Sequence, residues 1–401
     1  MLLKMAIRNL WRNPRRTAVT VTTICVGTAG LLLFQGFNSG VQVDHGDFVI
    51  HGKHGHGQVF LKGYRGESHD KPWQMWIQES DSLAASIEKL PEVQSTFQRT
   101  KFSALVSNGQ KSVGGYGVGI EGAKEAAFFN VLTFIEGGYL GDAADGIVLG
   151  KGLARALKVG IGGTVMIVGN TTAGSINGIE ATVVGIFSIG QPEVDDHVFQ
   201  IQLTKARELL DTDRTELIAI GLKNDDMWKN ASAAISQLRQ DLEVVSFAEL
   251  DKIWYQQTLD WLDAQFGVIR TIILAIVILG IFNTASTAIM ERTREFGVLR
   301  ANGESASDIL RLLSLEGCVV AMIGGLCGLA IVLALQVTVL RHGIPMPPPP
   351  GYTYLKPVHL HFTNHMVASS FLTTAFVAAL ATVGAGIRVA RQPISKSLQT
   401  V

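Results

Sequence analysis

The sequence predicts a membrane α-helical protein with four transmembrane helices and a large α+β extracytoplasmic domain inserted between helices 1 and 2. Three observations predict it. Four apolar, nearly charge-free segments, at residues 17–37, 267–290, 317–340 and 366–387, each reach the roughly 20 helical residues that about 30 Å of hydrocarbon demands. Residues 38–266 are too many for a loop and too polar for a bilayer. Basic residues crowd alternate ends of the apolar segments rather than spreading along the chain.

In chain order, residues 1–16 form a separate element. Leu3, Ile7, Leu10 and Trp11 fall on one helical face and Lys4, Arg8 and Arg12 on the other, the pattern of an amphipathic helix lying along a membrane surface. Asn13-Pro14 then reads as a cap and first-turn proline opening the first span. That span is too long for a secretory signal and no A-x-A-like site follows it, so an uncleaved anchor is expected. Arg15 and Arg16 precede the first span, Arg292, Arg294, Arg300 and Arg311 lie between the second and third, and Arg388, Arg391 and Lys396 follow the fourth. The loop at 341–365 carries only Arg341 and Lys356, beside the run Pro347 to Pro350. Positive-inside counting therefore puts both termini (the tail being 388–401) and the 291–316 segment in the cytoplasm.

Within 38–266, alternating and short apolar runs predict strands near 48–61, 94–106, 112–120, 164–168, 181–189, 197–203, 216–222 and 242–245. Helical patterns interleave at 80–90, 153–157, 204–210 and 226–240. Ser246-Phe247-Ala248-Glu249 has capping-box spacing. Only Gly267 interrupts the pattern from there to Met290, so one helix of about 60 Å is expected to run from the outer domain through the bilayer; a break at Gly267 is the alternative. Trp254, Tyr255 and Trp261 lie along its outer part, where aromatics favour headgroups.

Composition and motifs exclude several function classes. The 34 basic and 34 acidic side chains cancel, so no global field draws the chain to nucleic acid. Cys25, Cys318 and Cys327 all sit in apolar runs and read as small hydrophobes rather than a disulfide framework. There is no G-x-x-x-x-G-K-[ST] loop, G-x-S-x-G, H-E-x-x-H or C-x-x-C, so no catalytic residues and no cofactor are assigned. His45, His51, His54, His56 and His69 cluster. His54 and His56 would share a strand face and, with His51, are weak metal candidates; surface or turn histidines are the plainer reading, because no carboxylate or thiol partner is fixed by spacing.

The strongest motif is Glu291-Arg292-Thr293-Arg294-Glu295-Phe296-Gly297-Val298-Leu299-Arg300-Ala301-Asn302-Gly303, after which Ser305-Ala306-Ser307-Asp308 restarts a helix. Mixed charge interleaved with Phe296, Val298 and Leu299 makes a short amphipathic element suited to docking on another protein. It resembles the E-R-x-R-E-[IF]-G-x-L-[RK]-A-x-G signature of the FtsX-like permeases of ABC transporters. Ala6-Ile7-Arg8-Asn9-Leu10 with Arg15-Arg16-Thr17 is similar to that family's N-terminal segment. Gly146-Ile147-Val148-Leu149-Gly150-Lys151-Gly152-Leu153-Ala154 and Thr182-Val183-Val184-Gly185-Ile186-Phe187 resemble its MacB-like outer domain, also found in lipoprotein-releasing permeases. Ala390-Arg391-Gln392-Pro393-Ile394 with Leu398 loosely matches its tail.

The resemblance implies a non-catalytic permease subunit of the bacterial inner membrane, working with an ATPase on a separate chain and a second permease subunit, identical or related. It places Glu291, Arg292, Arg294, Glu295, Phe296, Gly297, Arg300 and Gly303 at the ATPase-coupling surface. ATP-driven movement there would be passed to the periplasmic domain by mechanotransmission, for lipoprotein trafficking or efflux, with a periplasmic lipoprotein or adaptor as a further partner. A non-transporting transducer that regulates a periplasmic enzyme, or an outer domain that senses a ligand or metal, are the alternatives. Gly324 and Gly328, at G-x-x-x-G spacing, with Gly27 and Gly30, can permit close helix contacts or face lipid.

Overall fold

The computed structural model describes residues 12, 14–66, 71–252, 255–346 and 357–390. The amphipathic segment before residue 12, His69, Trp254, the Pro347 to Pro350 run and the tail beyond residue 390 lie outside the described residues. The chain divides into two compact units. A helical unit draws on the chain before residue 45, on 259–345 and on the chain from 357 onward; a sheet unit draws on 45–258.

Among the described residues, the helical unit contains four helices long and apolar enough to cross a membrane. They belong to α1 (Pro14–Val49), α2 (Tyr255–Glu291), α4 (Ala306–Val337) and α5 (Asn364–Ala390), with the short α3 (Thr293–Ala301) between the second and third. Ile24, Val277, Ile281, Val320, Ala321 and Ala378 form their common core. Helices α1 and α4 approach closely because α4 is notched: a Cβ on Gly324 would lie 2.7 Å from the Ile24 side chain, and one on Gly328 2.8 Å from the Cys25 carbonyl. The G-x-x-x-G spacing therefore marks a helix contact within the chain, whereas Gly30 has nothing within 4 Å. Polar links also join these helices. Ser370 donates to Gln35 at 2.6 Å, and Gln42 donates to Asp263 at 2.8 Å.

Among the described residues, the sheet unit has ten strands: β1 (Gly57–Leu61), β2 (Val93–Ser107), β3 (Ser112–Ile120), β4 (Thr133–Gly137), β5 (Gly146–Gly150), β6 (Thr164–Asn170), β7 (Ile176–Ser188), β8 (Val198–Gln202), β9 (Leu217–Leu222) and β10 (Leu242–Ser246). Their order is β10-β1-β9-β2-β3-β8-β5-β7-β4, with β6 pairing β2 and β7. Strand β2 is the spine. Its residues up to Arg99 pair with β9, and those from Thr100 onward pair with β3. Each side has its own core, one built around Val59, Ile77, Ile87, Ile218 and Ile235, the other around Ile147, Leu153, Ile167, Phe199 and Leu209. These are two lobes, a division that hydropathy alone does not reveal. Arg207 pins them together, donating to Thr215 at 2.9 Å, Ser80 at 3.0 Å and Asp81 at 3.1 Å. Hydrogen bonds from Arg207 and Gln98 hold the Asp81 carboxyl below the usual carboxylate range.

Three expectations need correction. The strand expected from residue 48 begins only at Gly57, because α1 continues to Val49 and unwinds through a π-turn at Ile50–His54. That turn closes with the Gly55 N–H on the Ile50 carbonyl at 2.9 Å, and Gly55, at φ +71°, redirects the chain. The long helix does not start at Phe247. Ser246 does cap a helix there, accepting from the Glu249 N–H at 3.3 Å, but it ends at Leu250. Helix α2 then starts at Tyr255 and passes through Gly267 without a break. Its 37 residues span about 55 Å at 1.5 Å per residue. Finally, β4, β5 and the helix Gly122–Phe128 were not expected from the sequence.

Candidate coupling site

Helix α2 ends at Glu291, and Arg292 turns the chain by donating its N–H to the Ile289 carbonyl at 3.2 Å. The side chain of Arg292 then holds the turn. It reaches Glu316 on α4 at 2.9 and 3.2 Å through one guanidinium nitrogen, and Glu295 on α3 at 3.1 Å. Arg292 and Glu316 are each only 12% exposed, and the guanidinium lies 5.1 Å from the Phe296 ring centroid. A sheltered, charge-assisted cluster of this kind is far less screened than a surface pair. Glu295 takes a second arginine, Arg12, from the start of the chain.

Below the clamp, Phe296 packs with Ile289, Ile309, Leu313 and Ala385. Gly303, at φ +100°, lets the chain reverse where a side chain would be strained. Ser305 then opens α4 with a full capping box: its hydroxyl accepts the Asp308 N–H at 3.2 Å, and the Asp308 carboxylate accepts the Ser305 N–H at 3.2 Å. Because α4 already begins at Ala306, this segment is the first turns of the third long helix and not a free loop.

The eight residues assigned from the sequence thus divide. Phe296 and Gly297 face inward and Arg292 is the clamp, while Glu291, Arg294, Glu295 and Gly303 are exposed and Arg300 is half-buried. Val298, 47% exposed, adds an apolar side chain to the outer face. Glu316 was missed; in the sequence it is a lone acid at the start of an apolar run, and only the fold gives it a partner.

The histidines lie elsewhere, where α1 unwinds into the sheet unit. His51 Nδ1 is 3.1 Å from the Phe128 carbonyl, and His54 Nδ1 is 3.3 Å from the Gln58 amide. His56 accepts the Leu222 N–H on Nδ1 at 3.1 Å and lies 2.8 Å from Asp225 through Nε2. Burial lowers the His56 pKa, although Asp225 pulls the other way. Among the described residues no three His, Cys, Asp or Glu side chains gather as a metal site would require. Two expectations are corrected here: His54 and His56 are buried rather than at the surface, and neither lies in a strand, since β1 begins only at Gly57.

Comparison with known proteins gives the same architecture. The model of the MacB-like periplasmic core domain matches residues 17–238, and that of the FtsX-like permease C-terminal region matches residues 267–398. The chain is 26% identical over 356 residues to the pyoverdine export ATP-binding/permease protein PvdT of Pseudomonas aeruginosa, covering 83% of this chain and 50% of that protein. It is 25% identical over 361 residues to PvdT of Pseudomonas syringae pv. tomato, covering 84% and 52%. The chain therefore spans about half the length of these curated relatives. Among solved structures, the periplasmic region of MacB from Actinobacillus actinomycetemcomitans aligns at 15% identity and TM-score 0.37, covering 49% of this chain and 90% of that one. With the core-domain match taking in more than half of the chain and the permease match most of the rest, the chain belongs to the FtsX-like ABC transporter permease family and carries a MacB-like periplasmic core domain.

Proposed function

We propose that this permease, embedded in the bacterial inner membrane with both termini and the α3 turn in the cytoplasm, converts ATP hydrolysis by an ATPase on a separate chain into movement of its periplasmic domain. It works as a dimer with a second permease subunit, for efflux or lipoprotein trafficking. The observation that carries the reading is the Arg292 clamp. By tying α3 to Glu316 on α4, it lets a push on the outer face of α3 act on the long helices rather than bend a loop. Arg294, Val298 and the 301–303 turn are among the exposed residues available to receive that push. The apolar composition of the spans favours mechanotransmission over a polar path through the bilayer. Export also accords with the names of those relatives.

The test is Arg294→Glu combined with Val298→Asp, read as stimulation of the ATPase in a reconstituted complex. Neither side chain joins the inward core, so the fold should persist. Docking should weaken by about 2 kcal/mol, roughly thirtyfold, and stimulation should fall with it. Wild-type stimulation at limiting permease would rule out α3 as the docking element.

A further inference from the structure

A crevice of about 320 Å³ opens in the helical unit near the end of α4 and the start of α5. Leu32 of α1, Leu329 and Val332 of α4 and Val367 of α5 wall it, and residues 360–362 roof it. The roof is preformed by two notches on α1. A Cβ on Gly36 would lie 2.3 Å from the Phe362 ring, and one on Gly40 1.9 Å from the His359 carbonyl, so the segment can sit directly on the helix backbone. The His361 N–H fixes it by donating to the Gly36 carbonyl at 3.0 Å. Leu333 stands at the mouth, 51% exposed, with the more exposed Val337 and Val339 just beyond it on the same stretch of chain.

We infer that this crevice binds one acyl chain of a bilayer phospholipid, with Gln336 and His361 meeting its ester region. The depth suits such a ligand. Gln336 lies in the last turn of α4 and Val367 in the first turn of α5, so the crevice sits where hydrocarbon gives way to headgroups. The lining side chains are apolar except for Gln336 and His361, an arrangement that can orient an amphiphile. The half-buried Gln336 has no hydrogen-bond partner for its side chain among the described residues, and its amide can donate to an ester carbonyl. The volume admits on the order of ten groups of water size at about 30 Å³ each, enough for a length of acyl chain. The mouth beside Leu333, Val337 and Val339 is apolar, as lateral entry from lipid requires.

The test uses the full chain in nanodiscs containing phosphatidylethanolamine with a diazirine in its palmitoyl chain, with photo-adducts mapped by mass spectrometry. Adducts should concentrate at 329–333 and 360–367. Leu333→Trp, filling the mouth, should cut pocket labelling at least roughly tenfold, since losing two buried methylenes already has that effect. Val367→Trp, from the opposite wall, should do the same and guards against misfolding of the first variant. Gln336→Ala should reduce labelling about fivefold, the effect of one hydrogen bond, while Leu279→Trp on α2 should leave it unchanged. Labelling spread evenly over exposed apolar residues such as Ile276 and Leu279, or unmoved by both pocket-filling changes, would show a lipid annulus only and overturn the assignment.

Discussion

At the residue scale, His56 shows how position overrides a residue's usual chemistry. Its Nδ1 accepts the Leu222 N–H, so that nitrogen is the unprotonated one and Nε2 carries the hydrogen donated to Asp225. A second proton on Nδ1 would set two donors against each other inside the fold. Burial, the largest cause, accordingly holds the His56 pKa below its ordinary value despite Asp225. The sign follows by linkage. The folded pKa lies under the unfolded value of about 6.5, so the neutral ring contributes its stability in full above that pH. The contribution is lost as pH falls toward the folded value, at up to about 1.4 kcal/mol per pH unit. Denaturant midpoints between pH 7.5 and 5.5 should therefore drop less steeply in His56→Asn, whose side-chain oxygen can still accept from Leu222. Equal slopes in variant and parent would assign the acid sensitivity to other groups.

At the element scale, the glycines of α1 and α4 separate close packing from mere smallness. Gly40→Val must displace the backbone at His359, and Gly328→Val that at Cys25, whereas Gly30→Val meets nothing within 4 Å. Overpacking of this kind costs about 1–3 kcal/mol. Thermal unfolding in detergent should lower the melting temperature for the first two and leave Gly30→Val near wild type; a comparable loss in all three would mean helix propensity governs, not contact. The same comparison shows what could be read from the sequence. Gly324 and Gly328 were legible as a spacing but not as to partner, and the role of Gly36 and Gly40 was invisible because the segment they receive lies hundreds of residues later. Strand β3 was legible to the residue, since its outward positions alternate with buried ones. Strand β5 was not: it is fully buried and so loses period two, and its apolar run is only Ile147 to Leu149, whereas the equally buried β9 carries a longer one. In α3, the motif marked the segment, but the inward turn of Phe296 depends on Ile309 and Ala385, which no local pattern connects to it.

At the scale of the whole molecule, the sheet unit carries what it needs to fold alone. Both lobe cores lie within it, and so does the buried Arg99–Glu125 ion pair, joined at 2.5 and 2.6 Å. Arg99 also donates to the Lys53 carbonyl at 2.7 Å and stacks on Phe129 at 3.7 Å. The chain enters and leaves at neighbouring strands, since β1 and β10 pair antiparallel with Gly57 opposite Ser246, and Lys53 and Asp251 meet at 3.2 Å just outside them. Cutting at residues 45 and 252 therefore severs two adjacent tethers and no strand. The excised fragment should be soluble and melt in one cooperative transition monitored by circular dichroism. Glu125→Gln within it should cost about 3–5 kcal/mol, because the guanidinium is left buried without its counter-charge. Replacing both partners, Arg99→Met with Glu125→Leu, should cost less than the single change, because no buried charge is then left unpaired. A fragment with strand signal but no cooperative melt would show that its order depends on the membrane helices. A cooperative fragment indifferent to Glu125→Gln would show instead that the ion pair is not what holds the helix Gly122–Phe128 against β2.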